Sequence, residues 1–504
     1  MKLLRLKLND QYKSIDTFDY DFRETSDDFS SFSPICFVGL NGSGKSNIIE
    51  ALSEVFCYLD LFILDYEYAP KWVKKSPMSF EVEYFLTSET TPLHIEIKCE
   101  KGKEPVFYLI DQETKEVLPN INFLPSRIIG YSSGHNESIS YPYLKNQGFY
   151  ANEVGKVALT DSGASGLPHT LSLFMDYEVN SLILITNYLF DKDTTVFKDL
   201  IRIKKPTSFS INIKLKVASK RDIVLTQELL DIIHKLQKAS TYPDGDFETE
   251  WKLHFLVNDA TKSAIQTLFN TPEEFFTSLY KLNLLNALRL TASERNFYTK
   301  QSKEDSLKVR APVVPTEQKV FNIDDLKIQL DIPDVEIDYS ALSDGEHQFI
   351  HIFGTIILFN SPNCLFLLDE PESHFNPQWR SKFINLISEI RNDNNSEFIL
   401  STHSPYVVSA ARREHILKFS RDGNLITCNA PTRETFGGTF QEILDELFDV
   451  EYSISTHSKV YIDTLIEDKN LIKMEEAISD IANSPDKRLL YQEILRQRKK
   501  KEDS

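Results

Sequence analysis

The chain has 504 residues, of which 41% are hydrophobic and 26% are charged, and its formal net charge is −19. This length exceeds one ordinary hydrophobic core, and the composition is typical of a soluble globular protein. The negative charge argues against a protein that coats nucleic acid with its whole surface, and no apolar run approaches the ~18 residues of a membrane helix. Five scattered cysteines without a CxxC pair indicate neither a disulfide framework nor a zinc hook. We therefore expect a cytoplasmic protein of two or three lobes, without membrane association.

The N-terminal residues lead from short strands into a glycine-rich loop. Apolar and polar residues alternate in the runs Leu3–Leu8 and Phe18–Phe22, and the apolar run Ile35–Val38 follows; all three predict strands and not a secretory signal. The loop Gly39–Ser46 comes next, followed by helical periodicity to about Phe62. A strand, a glycine loop and a helix start in this order are the context that a phosphate-binding P-loop requires.

The glycine loop predicts a nucleotide site. Glycines let backbone N–H groups turn towards phosphate oxygens, and the helix N-terminus adds the positive end of its dipole. Lys45 is expected to reach the β- and γ-phosphates, and the Ser46 hydroxyl to bind Mg²⁺. A chance glycine turn is the weaker interpretation, because only 16 of 504 residues are glycine and three of them fall here. The predicted nucleotide-binding residues of this stretch are Gly39, Asn41, Gly42, Ser43, Gly44, Lys45, Ser46 and Asn47.

Three β-patterned runs follow the P-loop helix. Ser79–Leu86, Leu93–Cys99 and Pro105–Ile110 have short connections, which predict an antiparallel meander. The triplet Glu96-Ile97-Lys98 looks like half of a nuclease site, but alternating charge on an exposed strand face is the favoured interpretation. Arg127–Tyr131 is predicted to be a further strand.

From about 150 to 335 the pattern changes to mixed helical and strand segments, which predicts an α/β insertion. Heptads are not sustained over several turns, so no long coiled-coil arm is expected. Ser293–Lys308 is the predicted linker or mobile loop. Two basic stretches, 202–221 and 496–501, are interpreted as a solvated strand face and a frayed terminus in preference to nucleic-acid contacts. Predicted helices span 168–190, 222–239, 259–270 and 272–291, and predicted strands span 208–217 and 250–257.

A second helix start lies near residue 343. Ser343 and Glu346 fit the S-x-x-E capping box. A helix start that contains Gly345 is also a place to hold phosphate. His347 and His351 lie four apart on this helix, but without an HExxH arrangement two structural histidines are the better interpretation than a metal pair.

Two further predicted strands are followed by residues that could bind Mg²⁺ or take part in catalysis. The apolar run before Asp369 and Glu370 predicts a buried strand, with Asp369 placed to hold Mg²⁺ and Glu370 to polarise the attacking water. Phe398–Leu400 predicts another buried strand, and His403 just beyond it could contact the γ-phosphate.

The glycine loop, the helix start at Ser343, the strand that ends in Asp369 and Glu370, and His403 follow one another along the chain. In this order, these four elements resemble an ABC-type ATPase head of the kind shared by SMC and RecF proteins. Gly39–Ser46 matches Walker A, and Leu342–Gln348 matches the LSGGQ signature with Asp344 in place of its first glycine. Leu365–Glu370 matches Walker B, and His403 matches the switch histidine. The resemblance implies an α/β fold, in which a P-loop mixed sheet flanked by helices and an antiparallel β subdomain form the head and an α/β insertion interrupts it.

The resemblance also implies an organisation and a set of ligands. The expected domains are the N-terminal half of the head with Walker A (1–150), the α/β insertion (151–335), the C-terminal half of the head (336–430) and a helical tail (431–504). ATP and Mg²⁺ are the implied cofactors, with Glu370 and His403 catalytic. Ser343, Gly345 and Glu346 would close over the nucleotide of a second subunit, so a homodimer or higher homo-oligomer is expected.

This chain departs from the family in places. Lys45 and Asp369 are 324 positions apart (369 − 45), too close for the long arms of an SMC protein. No Q-loop glutamine is evident, and Ser132-Ser133-Gly134 occupies its expected place. The run from Asp369 to Pro377 resembles the DEPExHLHP sequence of OLD-like ATPases, with Asn376 where histidine is usual.

The size of the chain, its short insertion and the run from Asp369 to Pro377 are together most similar to the Septu-type ATPase of bacterial antiphage systems, which partners an HNH nuclease. The resemblance implies an ATPase subunit that controls a separate nuclease, with nucleic acid contacted mainly through the partner. A TOPRIM nuclease is not expected after Ala430, because the following residues contain no DxD. The alternatives are a RecF-like ATPase that clamps nucleic acid, and a nucleotide-locked scaffold, against which Glu370 argues.

Overall fold

The structure is a computed structural model, and it describes residues 1–23, 32–88, 91–111, 114–118, 123–133, 137–160, 166–217, 220, 222–291, 294, 313–391, 395–423, 425–450 and 454–502. The predicted loop Ser293–Lys308 lies outside the described residues except for Glu294, and so does Gly134. The strands are β1 (Lys2–Leu8), β2 (Phe18–Asp21), β3 (Ile35–Val38), β4 (Phe80–Leu86), β5 (Leu93–Cys99), β6 (Val106–Asp111), β7 (Thr114–Val117), β8 (Arg127–Ser132), β9 (Ser172–Phe174), β10 (Ile203–Lys214), β11 (Tyr242–Asp244), β12 (Glu250–Leu256), β13 (Phe321–Leu330), β14 (Glu336–Asp338), β15 (Cys364–Asp369), β16 (Glu397–Ser401), β17 (Ile416–Asp422) and β18 (Leu425–Asn429). The α-helices are α1 (Lys45–Leu64), α2 (Tyr141–Thr160), α3 (Asn180–Leu189), α4 (Thr195–Ile201), α5 (Gln227–Ala239), α6 (Asp259–Leu268), α7 (Pro272–Leu284), α8 (Asp344–Leu358), α9 (Pro377–Arg391), α10 (Pro405–Ser409), α11 (Phe440–Phe448), α12 (Thr456–Asp468), α13 (Leu471–Ala477) and α14 (Pro485–Glu502).

A mixed sheet carries the motifs. Its strand order is β18-β17-β3-β16-β15-β8-β9, and every pair is parallel except β17 with β18. Every residue of β3, β15 and β16 is buried, as expected for parallel strands covered on both faces. In this register Asp369 pairs with Ser132 on one side and with Ser401 on the other. The carboxyl ends of four strands therefore meet at one edge of the sheet, where the P-loop begins.

A second, antiparallel sheet has the order β2-β1-β4-β5-β6-β7. It confirms the predicted meander and adds β7. The prediction that Glu96 lies on an exposed strand face is wrong: its side chain is only 6% exposed and lies between the ammonium groups of Lys98 and Lys115. The two lysines neutralise the carboxylate. The alternating polar residues of β5 therefore belong to a buried ion-pair cluster and not to a solvated face.

The insertion contains a third sheet, with the order β11-β12-β10-β13-β14 and antiparallel pairing throughout. The helix predicted over 168–190 is wrong in its first half, because β9 pairs with β8 as the edge strand of the mixed sheet, and the α-helix α3 begins only at Asn180. Between them, the Asp176 carboxylate accepts hydrogen bonds from the N–H groups of Glu178 and Val179, which starts a short 3₁₀ turn. Tertiary pairing has overridden the local apolar pattern.

The last three helices, α12 to α14, form a small unit that we call the tail bundle. It has its own hydrophobic cluster, with Met474 fully buried at its centre and Ile462, Leu465, Leu490 and Ile494 around it. None of the helices in the described part of the chain combines the length and the apolar character that a membrane crossing requires. All five cysteines are free thiols.

Candidate active site

The P-loop between β3 and α1 depends on glycine at two positions. Gly39 has φ 136°, and a Cβ there would lie 2.4 Å from the Phe419 carbonyl oxygen. Gly44, the N-cap of α1, has φ 105°, and its Cβ would lie 2.3 Å from Cδ1 of Ile426. No described side chain caps α1, and its first turn carries no acid. The backbone N–H groups at this helix end are therefore suited to an anion.

Lys45 and Ser43 show that phosphate fits this loop. The Lys45 ammonium is folded back and donates to the carbonyl oxygens of Gly39 at 2.9 Å and Leu40 at 3.1 Å. Burial lowers the pKa of Lys45, while the carboxylates of Glu370 and Asp369 oppose that shift. The Ser43 hydroxyl is buried and has no hydrogen-bond partner among the described residues. Phosphate oxygens would give the Ser43 hydroxyl the acceptor that it lacks and would give Lys45 charged acceptors in place of neutral carbonyl oxygens.

Asp369 lies at the centre of a cluster of hydroxyl groups. Its Oδ1 accepts hydrogen bonds from the hydroxyls of Ser46 at 2.9 Å and Ser401 at 2.5 Å, and its Oδ2 from Ser132 at 3.4 Å. Burial raises the pKa of the Asp369 carboxyl, and the bonds from Ser401 and Ser46 act against this. Ser132 comes from the segment predicted to replace the Q-loop, whereas Ser401 was not among the predicted site residues.

This oxygen set suits Mg²⁺ bound together with phosphate. In the described part of the chain, no group of three or more His, Cys, Asp or Glu side chains could hold a metal ion. Mg²⁺ in phosphate-transfer sites is commonly held by one or two protein oxygens, with phosphate oxygens and water completing the octahedron. The Ser46 hydroxyl and the Asp369 carboxylate, 2.9 Å apart, fit that pattern.

Glu370 and His403 face each other across the tips of β15 and β16. Glu370 Oε1 lies 3.5 Å from His403 Nε2, and both side chains remain partly exposed. The Glu370 backbone has φ 48°, which non-glycine residues rarely adopt, and its N–H donates to the carbonyl and hydroxyl oxygens of Ser401. Burial and the nearby Lys45 ammonium lower the pKa of His403 to about 4, so its imidazole is neutral at neutral pH.

The signature segment begins α8. The Ser343 hydroxyl and the Glu346 carboxylate form the predicted capping box, which is confirmed. Ser343 is exposed, and in the described contacts it bonds Glu346 and reaches no residue of the P-loop. Gly345 follows within the first turn, and its ideal Cβ would lie 2.9 Å from the His374 carbonyl oxygen.

The interior of α8 is linked to Walker B through polar and aromatic contacts. The Gln348 amide donates to the Tyr131 hydroxyl at 3.0 Å and accepts from the His374 N–H at 2.9 Å. His347 and His351 are buried beside aromatic rings, and burial lowers the pKa of His351 to about 3. The role of Gln348 as a connector was not predicted, because it depends on which strand lies beneath the helix.

Two predicted nucleotide-binding residues lie at the periphery. Asn41 is exposed at the tip of the loop. The Asn47 amide donates to the Ser14 hydroxyl at 2.5 Å, so it ties α1 to the loop before β2. Their roles towards a nucleotide remain predictions.

The family model described as "AAA domain, putative AbiEii toxin, Type IV TA system" matches residues 276–409. That span contains Ser343, Glu370 and His403, and β3 brings the P-loop to it by pairing with β16. Residues 276–409 therefore match an AAA domain family, and the P-loop lies beside them in the same sheet. The mixed P-loop sheet, antiparallel β subdomain and α/β insertion confirm the predicted fold class.

Three relatives are similar in sequence to parts of this chain. Protein ea59 of Escherichia phage lambda is 24% identical over 176 residues, which are 34% of this chain and 32% of that protein. Septu protein PtuA of Bacillus thuringiensis is 32% identical over 136 residues, 26% of this chain and 31% of PtuA. The probable ATPase of retron Vc95 from Vibrio cholerae serotype O1 biovar El Tor is 24% identical over 242 residues, 44% of this chain and 45% of the relative. The matches thus span 31% to 45% of the length of these relatives, and the predicted resemblance to the Septu-type ATPase is confirmed as a sequence similarity.

Proposed function

We propose that this chain is an ATP-hydrolysing subunit of an antiphage defence complex, that it dimerises around ATP, and that it controls a separate nuclease, with an HNH type expected from the Septu resemblance. Hydrolysis rests on one observation above all. Glu370 and the neutral His403 converge to 3.5 Å beside the hydroxyl cluster of Asp369 and the P-loop lysine.

In this proposal the P-loop binds the phosphates of ATP. Backbone N–H groups of 39–44 and the Ser43 hydroxyl would donate to phosphate oxygens, and Lys45 would exchange its two carbonyl acceptors for charged ones. Ser46 and Asp369 would hold Mg²⁺, which when bound neutralises negative charge on the phosphates.

Glu370 would accept the proton of the attacking water. Its unusual backbone conformation is held by two hydrogen bonds to Ser401, which aims the carboxylate away from the strand and towards the site. The neutral His403 imidazole can donate one N–H and accept at its other nitrogen, so it can contact the γ-phosphate without repelling Lys45.

Dimerisation is supported by the exposed start of α8. Ser343 at the helix start is exposed and makes no described contact with the P-loop of its own chain. An exposed helix start of this kind can hold a phosphate presented by a second subunit. The proposed site is therefore composite, and one subunit alone would lack half of it.

Docking of a partner is supported by the tail bundle. Large apolar side chains are rarely left exposed in a group without a binding role. The tail bundle exposes several of them on its short helices: Val460, Tyr461, Ile472, Leu489, Tyr491 and Leu495. The nuclease partner is accordingly proposed to dock on residues 431–504, with the insertion as the other available surface.

Hydrolysis is tested by measuring phosphate release from ATP by the purified chain. Glu370→Gln should retain ATP binding and lose turnover, since Mg²⁺ and phosphate contacts persist while water activation is lost. The matched control is Glu389→Gln, which changes an exposed glutamate on α9 and should leave turnover unchanged. Equal turnover in Glu370→Gln and the unmodified chain would contradict the proposal.

Partner control is tested by co-purification from the native source and by nuclease assays. The chain alone should not cleave plasmid DNA or tRNA with Mg²⁺ or Mn²⁺, and the co-purified complex should. Ile472→Asp should release a partner that docks on the tail bundle, whereas Leu256→Asp, a matched change on β12, should release one that docks on the insertion. DNA binding by the chain alone, with affinity that falls steeply with salt, would favour the RecF-like alternative.

A further inference from the structure

Glu372 is a buried carboxylic acid in the turn that follows Walker B. It lies two residues after Glu370 and is only 3% exposed. Its Oε1 accepts a hydrogen bond from the Thr402 hydroxyl, and its Oε2 has no partner among the described residues. A buried carboxyl with so few partners needs a reason, because leaving it unpaired is unfavourable.

Thr402 links this acid to the loop that carries His403. Its hydroxyl donates to Glu372 and accepts from the Ser404 N–H at 2.9 Å, and its own N–H donates to the Phe37 carbonyl of β3 at 3.0 Å. His403 lies between Thr402 and Ser404. The backbone on both sides of the switch histidine is therefore anchored through one hydroxyl group, and that hydroxyl is oriented by Glu372.

The other end of the link is held by α9. The Arg380 guanidinium donates to the carbonyl oxygen of Glu372 at 3.2 Å and to that of Ser373 at 2.7 Å. These bonds fix the turn after β15, at the start of which Glu370 lies. The Glu372–Thr402 hydrogen bond thus joins the turn that carries the proposed base to the loop that carries the histidine.

We propose that Glu372 is a positioning residue for ATP hydrolysis: by orienting the Thr402 hydroxyl, it fixes the position of His403 relative to Glu370. This inference rests on the proposed ATPase function and adds a residue that touches neither nucleotide nor water. Small displacements of a positioned group can cost on the order of a hundredfold in rate. Loss of the Glu372–Thr402 bond should therefore affect the chemical step and leave the P-loop contacts intact.

Glutamine is a suitable conservative replacement. Burial raises the pKa of Glu372 to about 7, with the Thr402 bond and the Arg380 charge acting against it and the Glu370 charge with it. The carboxyl is then about half protonated at pH 7, and a glutamine carbonyl oxygen can accept the same bond from Thr402. Thr402→Val removes the hydroxyl at nearly constant shape, and Thr402→Ser keeps it.

The experiment measures kcat and ATP affinity for these variants of the full chain. Glu372→Ala and Thr402→Val should lower kcat by on the order of tenfold to a hundredfold with ATP affinity unchanged within about twofold. Glu372→Gln and Thr402→Ser should stay within about threefold of the unmodified chain. The double variant Glu372→Ala/Thr402→Val should be no slower than the slower single variant, because both remove one shared contact.

The inference is overturned by additive losses in the double variant, by a Glu372→Gln variant as slow as Glu372→Ala, or by a loss of ATP affinity that matches the loss of kcat. If Glu372→Ala does not fold, the two Thr402 variants report on the same contact. An unmodified chain without turnover would refute the proposed function itself. An active chain that needs Glu370 but tolerates Glu372→Ala and Thr402→Val would refute only the positioning role.

Discussion

Glu372 also predicts how stability depends on pH. Its pKa rises from 4.5 in the unfolded chain to about 7 in the folded one, because burial disfavours the ionised form. A raised carboxyl pKa means that the folded state holds the proton more tightly. The protonated Glu372 carboxyl therefore stabilises the folded state fully below pH 4.5, and this stabilisation is lost as pH rises through about 7.

The size of the effect follows from the shift. One pKa unit corresponds to about 1.4 kcal/mol, so the full loss is about 3 kcal/mol, most of it between pH 5 and 8. Glu372→Gln cannot titrate at this position. The difference in unfolding free energy between the unmodified chain and Glu372→Gln should therefore fall by roughly this amount across that range. Other buried carboxyls with raised pKa values, such as Asp60 and Glu50, are present in both proteins and cancel in the difference.

The assay is urea unfolding at pH 5, 6, 7 and 8, followed by a signal from the ATPase domain. Glu389→Gln serves as the control, because it makes the same replacement at an exposed glutamate. A Glu372→Gln difference that stays constant within about 0.5 kcal/mol over this range would refute the reasoning. In that case Glu372 would have to be ionised in the folded protein and stabilised by a group that the described contacts do not include.

The remaining predictions concern the P-loop, the signature and the tail bundle. Lys45→Ala should weaken ATP binding by on the order of tenfold to a hundredfold, measured by titration calorimetry, since charge-assisted bonds to phosphate are lost; unchanged affinity would argue against the assigned site. Ser343→Arg should leave ATP binding intact and lower turnover by on the order of a hundredfold, because the bulky side chain blocks closure by a second subunit; full specific activity in dilute monomers would contradict the composite site. Met474→Ala should destabilise the tail bundle by about 2–4 kcal/mol and leave ATP affinity unchanged, measured as hydrogen exchange over 456–502 and by calorimetry; unaltered exchange there would show that this cluster is not the core of the bundle.

Contiguous motifs were predictable from the sequence because their chemistry is local. The glycine loop before Lys45, the capping box at Ser343 and the carboxylates that end β15 each depend on residues close together in the chain. Short apolar runs with polar ends also located β3, β15 and β16, since strands buried on both faces carry little else.

The partners of those motifs could not be predicted in the same way. Ser132 and Ser401 contact Asp369 only because β8 and β16 flank β15 in one specific register. Gln348 and Thr402 depend in turn on which helix and which loop cover that edge. The error at Glu96 has a similar origin, because a polar residue on a strand says nothing about the lysines that neighbouring segments bring to it. Such contacts are fixed by pairing between distant segments, which periodicity does not report.

The place of β3 in the sheet has a consequence for how the protein is made. Its neighbours are β16 and β17, so Cys36 pairs with Leu400 on one side and with Ile416 on the other. During synthesis, more than 350 further residues (400 − 36 = 364) must therefore be made before β3, which leads into the P-loop, can pair with its neighbours in the sheet. Pairings of such long range are slow to form and leave apolar strand edges open to association with other chains. The nucleotide site should consequently be among the last parts of the ATPase domain to form, and chaperone capture of nascent chains should concentrate on the period before β16 leaves the ribosome.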